Sequence, residues 1–214
     1  MTELRTEEEQ IELIKHWWRD NGKAIIIALI LSVGSIGGWK WWQADQEASA
    51  QAASSAYEQL MNVMNKPELT DEERATAKHL AVTLQEEHKE TLYASYAALF
   101  EAKLLVDDQQ LDAALAVLKK AQAEAVTPLI KEIASVREAQ ILWQQDKSQQ
   151  ALDLLNGLVT SAYTGNAEEL KGDILAEMGR NDDARNAYEK AKTAFNTSGV
   201  ARPVIEMKLA DLGA

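Results

Sequence analysis

An uncharged segment between two lysines constrains the fold of this chain more than any other feature of its sequence. The segment runs from Ala24 to Trp39, and Lys23 and Lys40 bracket it. If residues 23–42 form a helix, about 20 residues at about 1.5 Å each give a length of about 30 Å. This length matches the hydrocarbon thickness of a bilayer, so the sequence predicts a transmembrane helix over residues 23–42.

Tryptophan and lysine residues flank this segment on both sides. Indole rings prefer the headgroup region of either leaflet, and a lysine can extend its ammonium group out of the last helical turn. We therefore expect the following residues to lie at the membrane interfaces: Trp17, Trp18, Lys23, Trp39, Lys40, Trp41 and Trp42.

Two other interpretations of the segment agree less well with the sequence. A cleaved signal peptide would use the small residues 48–50, but these lie about ten residues beyond the segment, and the leader before it is long and acidic. A buried core helix is the other alternative, but a helix in a small soluble domain is normally apolar on one face only.

Small residues recur within the apolar segment at a spacing of four. This spacing lets transmembrane helices pack closely, although glycine is also common in membrane helices without any specific partner. The candidate packing residues are Ala28, Ser32, Gly34 and Gly38.

The basic residues near the segment predict its orientation. Arg5, Lys15, Arg19 and Lys23 precede or begin it, whereas Lys40 alone follows closely. Lysine and arginine favour the cytoplasmic side of a membrane. We expect a single-pass membrane protein with a cytoplasmic tail over residues 1–22 and a translocated C-terminal domain, which in a Gram-negative bacterium would lie in the periplasm.

Composition excludes several functions. The chain has no cysteine, so disulfides, thiolate metal sites and cysteine nucleophiles are absent. The net charge of −12 argues against nucleic acid, which requires a cationic face. The histidines His16, His79 and His88 lack the spacing of a zinc site, and no phosphate loop or nucleophile elbow occurs. We therefore expect no catalytic residue, metal, cofactor or small-molecule substrate.

The part after the apolar segment is predicted to be all-α. Alanine, leucine, glutamine and glutamate dominate it, and no stretch shows the alternation of a strand. A helix is expected to connect the membrane span to the domain over residues 43–65. Thr70 and Glu73 have the spacing of a capping box at the start of a further helix, which we expect to cap the domain.

A repeat is visible when Ala102, Ala139 and Gly172 are aligned, with offsets of 37 and 33 residues. Each copy has a leucine three residues after the aligned position and an alanine twelve residues after it, followed four residues further on by Leu118, Leu155 or Tyr188. This pattern is typical of tetratricopeptide repeats, in which units bury their faces by stacking. A generic helical bundle is the alternative. The predicted ranges are a domain over 66–214, units over 95–127, 132–164 and 165–198, and a capping helix over 203–212.

The N-terminal run over residues 7–27 and the Gly38–Trp42 stretch closely resemble the YfgM-like family of ancillary SecYEG translocon subunits, as do residues 93–103 and 207–212. The resemblance implies an inner-membrane protein with a periplasmic tetratricopeptide domain. It also implies two partners, the SecYEG channel and a membrane-anchored periplasmic chaperone of prolyl-isomerase type, and a role in passing exported client proteins to periplasmic chaperones.

Two other functions remain open. The acidic tail could hold a cytoplasmic stress-signalling protein at the membrane, or the repeats could act as a scaffold for another envelope assembly.

Stacked repeats form a concave groove lined by the first helix of each unit, and such a groove binds peptide segments. The acids Glu169, Asp173 and Glu177 of the third unit would favour a partly basic peptide. Trp143 is either an anchor in the groove or is buried against the next unit. The candidate groove residues are Tyr96, Leu99, Lys103, Val136, Gln140, Trp143 and Asp173.

Overall fold

Every regular element in the described residues is a helix, which confirms the predicted all-α class. The computed structural model describes residues 7–158 and 163–213. Residues 1–6 of the predicted tail therefore lie outside it. In chain order, the helices are α1 (Glu7–Met64), α2 (Asp71–Glu87), α3 (Leu92–Asp107), α4 (Leu111–Ala123), α5 (Pro128–Gln144), α6 (Ser148–Asn156), α7 (Thr164–Glu177), α8 (Asn181–Thr197) and α9 (Val204–Asp211).

The chain divides into two compact units, Met1–Gln51 and Ala52–Ala214. The first unit contains most of α1. By length and composition this helix can cross a membrane, since an 18-residue window has a mean hydropathy of 1.7 and 6% of that window is buried. A core helix of a soluble domain would be mostly buried, so the structure argues against that alternative. Because α1 has no break at residues 22 and 42, the limits of the tail and the span stay predictions.

The second unit contains helix pairs that follow the predicted repeat. The turns of the three pairs α3–α4, α5–α6 and α7–α8 contain Gln109, Asp146 and Gly179, all with a positive φ of 60–74°. The residue after each turn donates its backbone N–H to the carbonyl of Leu105, Leu142 or Leu175 at 2.8–2.9 Å. This bond closes each first helix in a Schellman-type motif. The leucines of the sequence repeat therefore accept the hydrogen bond that closes the first helix of each of the three pairs.

Threonine side chains start three of the helices in this unit. Thr70 and Glu73 form the predicted capping box of α2, and each satisfies a backbone N–H of the other. Thr91 and Thr127 accept hydrogen bonds from the N–H groups of Ala94 and Ile130 at the starts of α3 and α5. These bonds satisfy donors that the first helical turn leaves free.

Small and large residues compensate for each other within the repeats. The first two pairs combine Ala102 with Leu118 and Ala139 with Leu155, all of which are buried. In the third pair the larger Tyr188 faces Gly172, where an added Cβ would lie 2.3 Å from the tyrosine ring. Glycine at position 172 is therefore required by the ring of Tyr188.

Both ends of the repeat stack are covered. Ala53 and Leu60, near the end of α1, are buried together with Ala77 of α2 and Leu104 of α3, so the end of α1 contributes to the core instead of only connecting it to the span. At the other end, Ile205 of α9 is 1% exposed within the core of the last two pairs. Val204, Leu209 and Leu212 pack there as predicted, but the expected contribution of Met207 is wrong, because its side chain is 66% exposed.

Candidate functional site

The residues predicted at the membrane lie on the outside of the first unit. The five tryptophans are exposed, and the rings of Trp39 and Trp42 lie 5.1 Å apart. Lys23 and Lys40 are exposed as well. Exposed indole and isoleucine surface of this extent is unfavourable in water, so this part of α1 is suited to an apolar environment.

The small residues predicted for helix packing lie on an open surface. Ser32 donates its hydroxyl to the carbonyl of Ala28 at 2.7 Å, so it exposes no unsatisfied donor. A Cβ added at Gly34 or Gly38 would meet no atom within 4 Å. The structure leaves room there for a neighbouring helix.

Two adjoining cavities lie along the first helices of the repeat pairs, and we call them together the central groove. The α5–α7 cavity, of about 400 Å³, brings together three of the predicted groove residues, Val136, Gln140 and Asp173, with Arg202 and Lys208. The α3–α5 cavity, of about 270 Å³, contains the predicted Lys103 and again Gln140. Arg137 lines both cavities.

Three of the predicted groove residues, Tyr96, Leu99 and Trp143, do not line either cavity. The prediction for Leu99 is wrong, because its side chain is 5% exposed and belongs to the core with Ala98 and Ala102. Trp143 is half-buried against the core of the following pair and donates its indole N–H to Glu177. The structure thus favours the alternative in which Trp143 joins two units.

The acids expected to attract a basic peptide are already paired within the chain. Glu169 accepts hydrogen bonds from Arg202 at 2.9 Å and from Lys208 at 2.9 Å. Asp173 accepts from Lys208 at 2.8 Å and from the hydroxyl of Tyr188 at 2.8 Å. The acidic end of the groove is therefore neutralised by the C-terminal segment.

Burial and these hydrogen bonds shift the pKa values of Glu169 and Lys208 in opposite directions. Burial alone would raise the pKa of Glu169, but the hydrogen bonds and charges of Arg202 and Lys208 outweigh it and hold that pKa below its ordinary value. For Lys208, burial lowers the pKa, and the bonds to Asp173 and Glu169 raise it above the ordinary value. The pKa of Tyr188 is raised, by burial first and by its bond to Asp173 second. The cluster is thus charged as ion pairs at neutral pH.

Tyr96, the remaining predicted groove residue, belongs to an aromatic cluster. Its ring lies 6.2 Å from that of Tyr57, which also lies 5.2 Å from Tyr93 and 6.4 Å from Phe100. All four rings are half-buried. Burial and the neighbouring tyrosines raise the pKa of Tyr57. Such a cluster provides apolar contact area that is only partly used within the chain.

Sequence reasoning missed Arg137 and Tyr57. Arg137 lies one residue after the predicted Val136, and helical spacing alone did not distinguish which neighbour faces the groove. Tyr57 lies in the stretch expected to be only a connecting helix. Within the described residues, no group of three histidine, aspartate or glutamate side chains could hold a metal ion.

Comparisons with known proteins agree with this architecture. The family described as "Tetratricopeptide repeat-like domain" matches residues 15–214. The chain is 32% identical to a Haemophilus influenzae protein named "Ancillary SecYEG translocon subunit" over 96% of this chain and 97% of that one. An Escherichia coli protein of the same name is 29% identical, with 96% of each chain covered.

A solved structure supports the fold alone. The chain resembles "MamA 41-end from Desulfovibrio magneticus RS-1" with a TM-score of 0.54 and 14% identity, over 75% of this chain and 82% of that chain. At this identity the likeness carries no information about partners.

Proposed function

Because this chain belongs to the family of ancillary SecYEG translocon subunits and carries its tetratricopeptide repeat-like domain, we propose that it is a membrane-tethered adaptor that receives exported proteins beside the channel and passes them to periplasmic chaperones. The family is of a non-catalytic kind. The role therefore depends on binding surfaces, and the structure offers one in each unit.

The observation that carries the proposal is the combination of an open apolar helix and a peptide-sized groove in one chain. The exposed face around Gly34 and Gly38 suits a neighbouring transmembrane helix, and the channel is the partner that the family name supplies. The central groove suits an extended or helical segment of a client protein.

The tether makes weak binding sufficient. A groove attached to the same membrane as the channel exit meets emerging chains at a high effective concentration, so a modest intrinsic affinity is enough. Release is then fast, as transfer to a second protein requires. We propose that the receiver is a membrane-anchored chaperone of prolyl-isomerase type.

Photocrosslinking in native membranes tests this function. A photoreactive amino acid at Gly34 should capture a subunit of the channel, and one at Gln140 should capture exported chains or the chaperone. The same amino acid at Glu189, which is exposed on α8 outside the central groove, is the matched control. Recovery of unrelated envelope complexes, with neither the channel nor the chaperone, would contradict the proposal.

A further inference from the structure

The guanidinium group of Arg137 is unusual among the arginines of the repeat domain. Its Nε is buried and has no hydrogen-bond partner among the described residues, and its side chain forms no ion pair there. In contrast, Arg180 pairs with Asp183, Arg202 pairs with Glu169, and Arg185 donates to the carbonyl of Leu212. The Nη1 of Arg74 also has no hydrogen bond, but it lies 3.1 Å from the carboxylate of Asp108 in an ion pair. A cationic donor without a partner is unfavourable. Arg137 as a whole is only partly buried and lines the groove, so a ligand there that supplies an acceptor would relieve this.

The position of this group indicates what the ligand would be. Arg137 and Gln140 lie where the two cavities of the central groove meet. On the α3–α5 side, the described lining has apolar walls from Ala102, Val106, Leu118 and Ile141, and its charged members are Lys103 and Arg137. This side combines space for an apolar side chain with an adjacent cationic group.

We propose that Arg137 binds a side-chain carboxylate of an extended peptide segment lying along the central groove, with a neighbouring apolar residue of that segment in the α3–α5 cavity. The inference rests on the proposed adaptor function and adds the chemistry that selects the segment. A guanidinium group offers several N–H donors in a planar fork, which fits both oxygens of a carboxylate.

Charge supports this choice of ligand over a basic one. The chain carries a net charge of −12, so the positive charge of Arg137 in the groove is opposite in sign to the charge of the chain as a whole. Glu169 and Asp173 of the adjacent cavity are paired with Arg202 and Lys208, and therefore do not repel a carboxylate as free acids would. The groove continues past Arg137 on both sides, which suits a side chain within a segment and not a chain terminus.

Fluorescence anisotropy with the full-length protein in lipid nanodiscs tests the proposal. The probe is a fluorescein-labelled ten-residue peptide amide with leucine, glutamate and leucine at its centre and glycine and serine elsewhere. Matched probes have glutamine or lysine in place of the glutamate, and a fourth has glutamine and a free C-terminal carboxylate. We expect the glutamate probe to bind about tenfold more tightly than the glutamine probe, and the difference to shrink as salt increases.

Variants assign this preference to one residue. Arg137→Met keeps an unbranched apolar side chain but removes the guanidinium group, so it should abolish the preference for glutamate, whereas Arg137→Lys should keep part of it. Lys131→Gln removes one positive charge from an exposed position of the same helix and should change nothing. The salt dependence of the unmodified protein provides a readout that does not require any variant to fold.

Three results would overturn the inference: equal binding of the glutamate and glutamine probes, a preference that persists in Arg137→Met, or tight binding of the free-terminus probe alone. These results are independent of the crosslinking experiment. Capture of the channel without glutamate preference would leave the adaptor function standing, and glutamate preference without capture of the channel would leave only the peptide site.

Discussion

The indole N–H of Trp143 on α5 donates a hydrogen bond of 2.5 Å to a carboxylate oxygen of Glu177 on α7. The bond joins two successive repeat pairs, and the ring packs against the core of the second pair. Trp143 therefore contributes to stacking between units, which is the interaction that stabilises repeat proteins.

Replacement of Trp143 should mainly reduce stability. We expect Trp143→Ala to lower the free energy of unfolding by about 2–3 kcal/mol, less than for a fully buried ring, and Trp143→Phe by about 1 kcal/mol through loss of the N–H donor. Urea unfolding in detergent, followed by circular dichroism, measures both. An unchanged midpoint with lost peptide binding would instead support the groove role.

The Gly172–Tyr188 contact predicts a pair of compensating mutations. Gly172→Ala places a Cβ into the ring of Tyr188 and should destabilise the protein by about 1–3 kcal/mol. Adding Tyr188→Leu recreates the alanine–leucine combination of the first two repeats and should recover most of that loss. A double-mutant cycle by thermal unfolding measures the coupling; additive effects would show that the two positions do not clash.

The positive φ of Gln109 predicts a stabilising mutation. Gln109 adopts φ 61° at the turn between α3 and α4, where the third repeat has Gly179 at φ 74°. Gln109→Gly removes backbone strain at an exposed site, and we expect a gain of about 0.5–1 kcal/mol after the entropy cost of glycine. The neighbouring exposed residue Gln110 has no positive φ, so Gln110→Gly is the control and should not stabilise.

Acid should loosen the C-terminal end of the repeat domain. The pKa of Glu169 is lower in the folded chain than its ordinary value of 4.5, so the folded state binds fewer protons than the unfolded state between these two values. The stabilisation is therefore fully present above about pH 4.5 and is lost as the pH falls through the folded pKa.

Glu169→Gln provides the comparison for this pH dependence. The variant should lose about 1–2 kcal/mol of stability at pH 7, because Arg202 and Lys208 lose their carboxylate partner but are partly exposed. Its stability should change less between pH 5 and pH 3 than that of the unmodified protein. Parallel acid titrations of both proteins would contradict the assignment.

The basic residues around the apolar segment predict the topology. Lys15, Arg19 and Lys23 outweigh Lys40, so a reporter that is active only in the periplasm should be active when fused after Ala214. The same reporter fused before Met1 should be inactive. The reverse pattern would overturn both the orientation and the proposed periplasmic role.

The sequence by itself determined the helical class, the membrane-compatible segment and the register of the repeat. These features depend on the order of apolar, small and capping residues within one helix or one helix pair, and such order is readable from spacing. The capping box of Thr70 and Glu73 and the aligned leucines at 105, 142 and 175 are examples.

The tertiary structure decided which groove residues are free to bind. Glu169 is paired with Arg202 and Lys208, which lie 33 and 39 residues away, and no local pattern predicts such pairs. Leu99 is in the core and Arg137 is at the groove because packing against neighbouring helices, and not the helical period alone, decides which side of each helix is covered. Packing between units thus left the Nε of Arg137 without a hydrogen-bond partner among the described residues, which a linear sequence does not show.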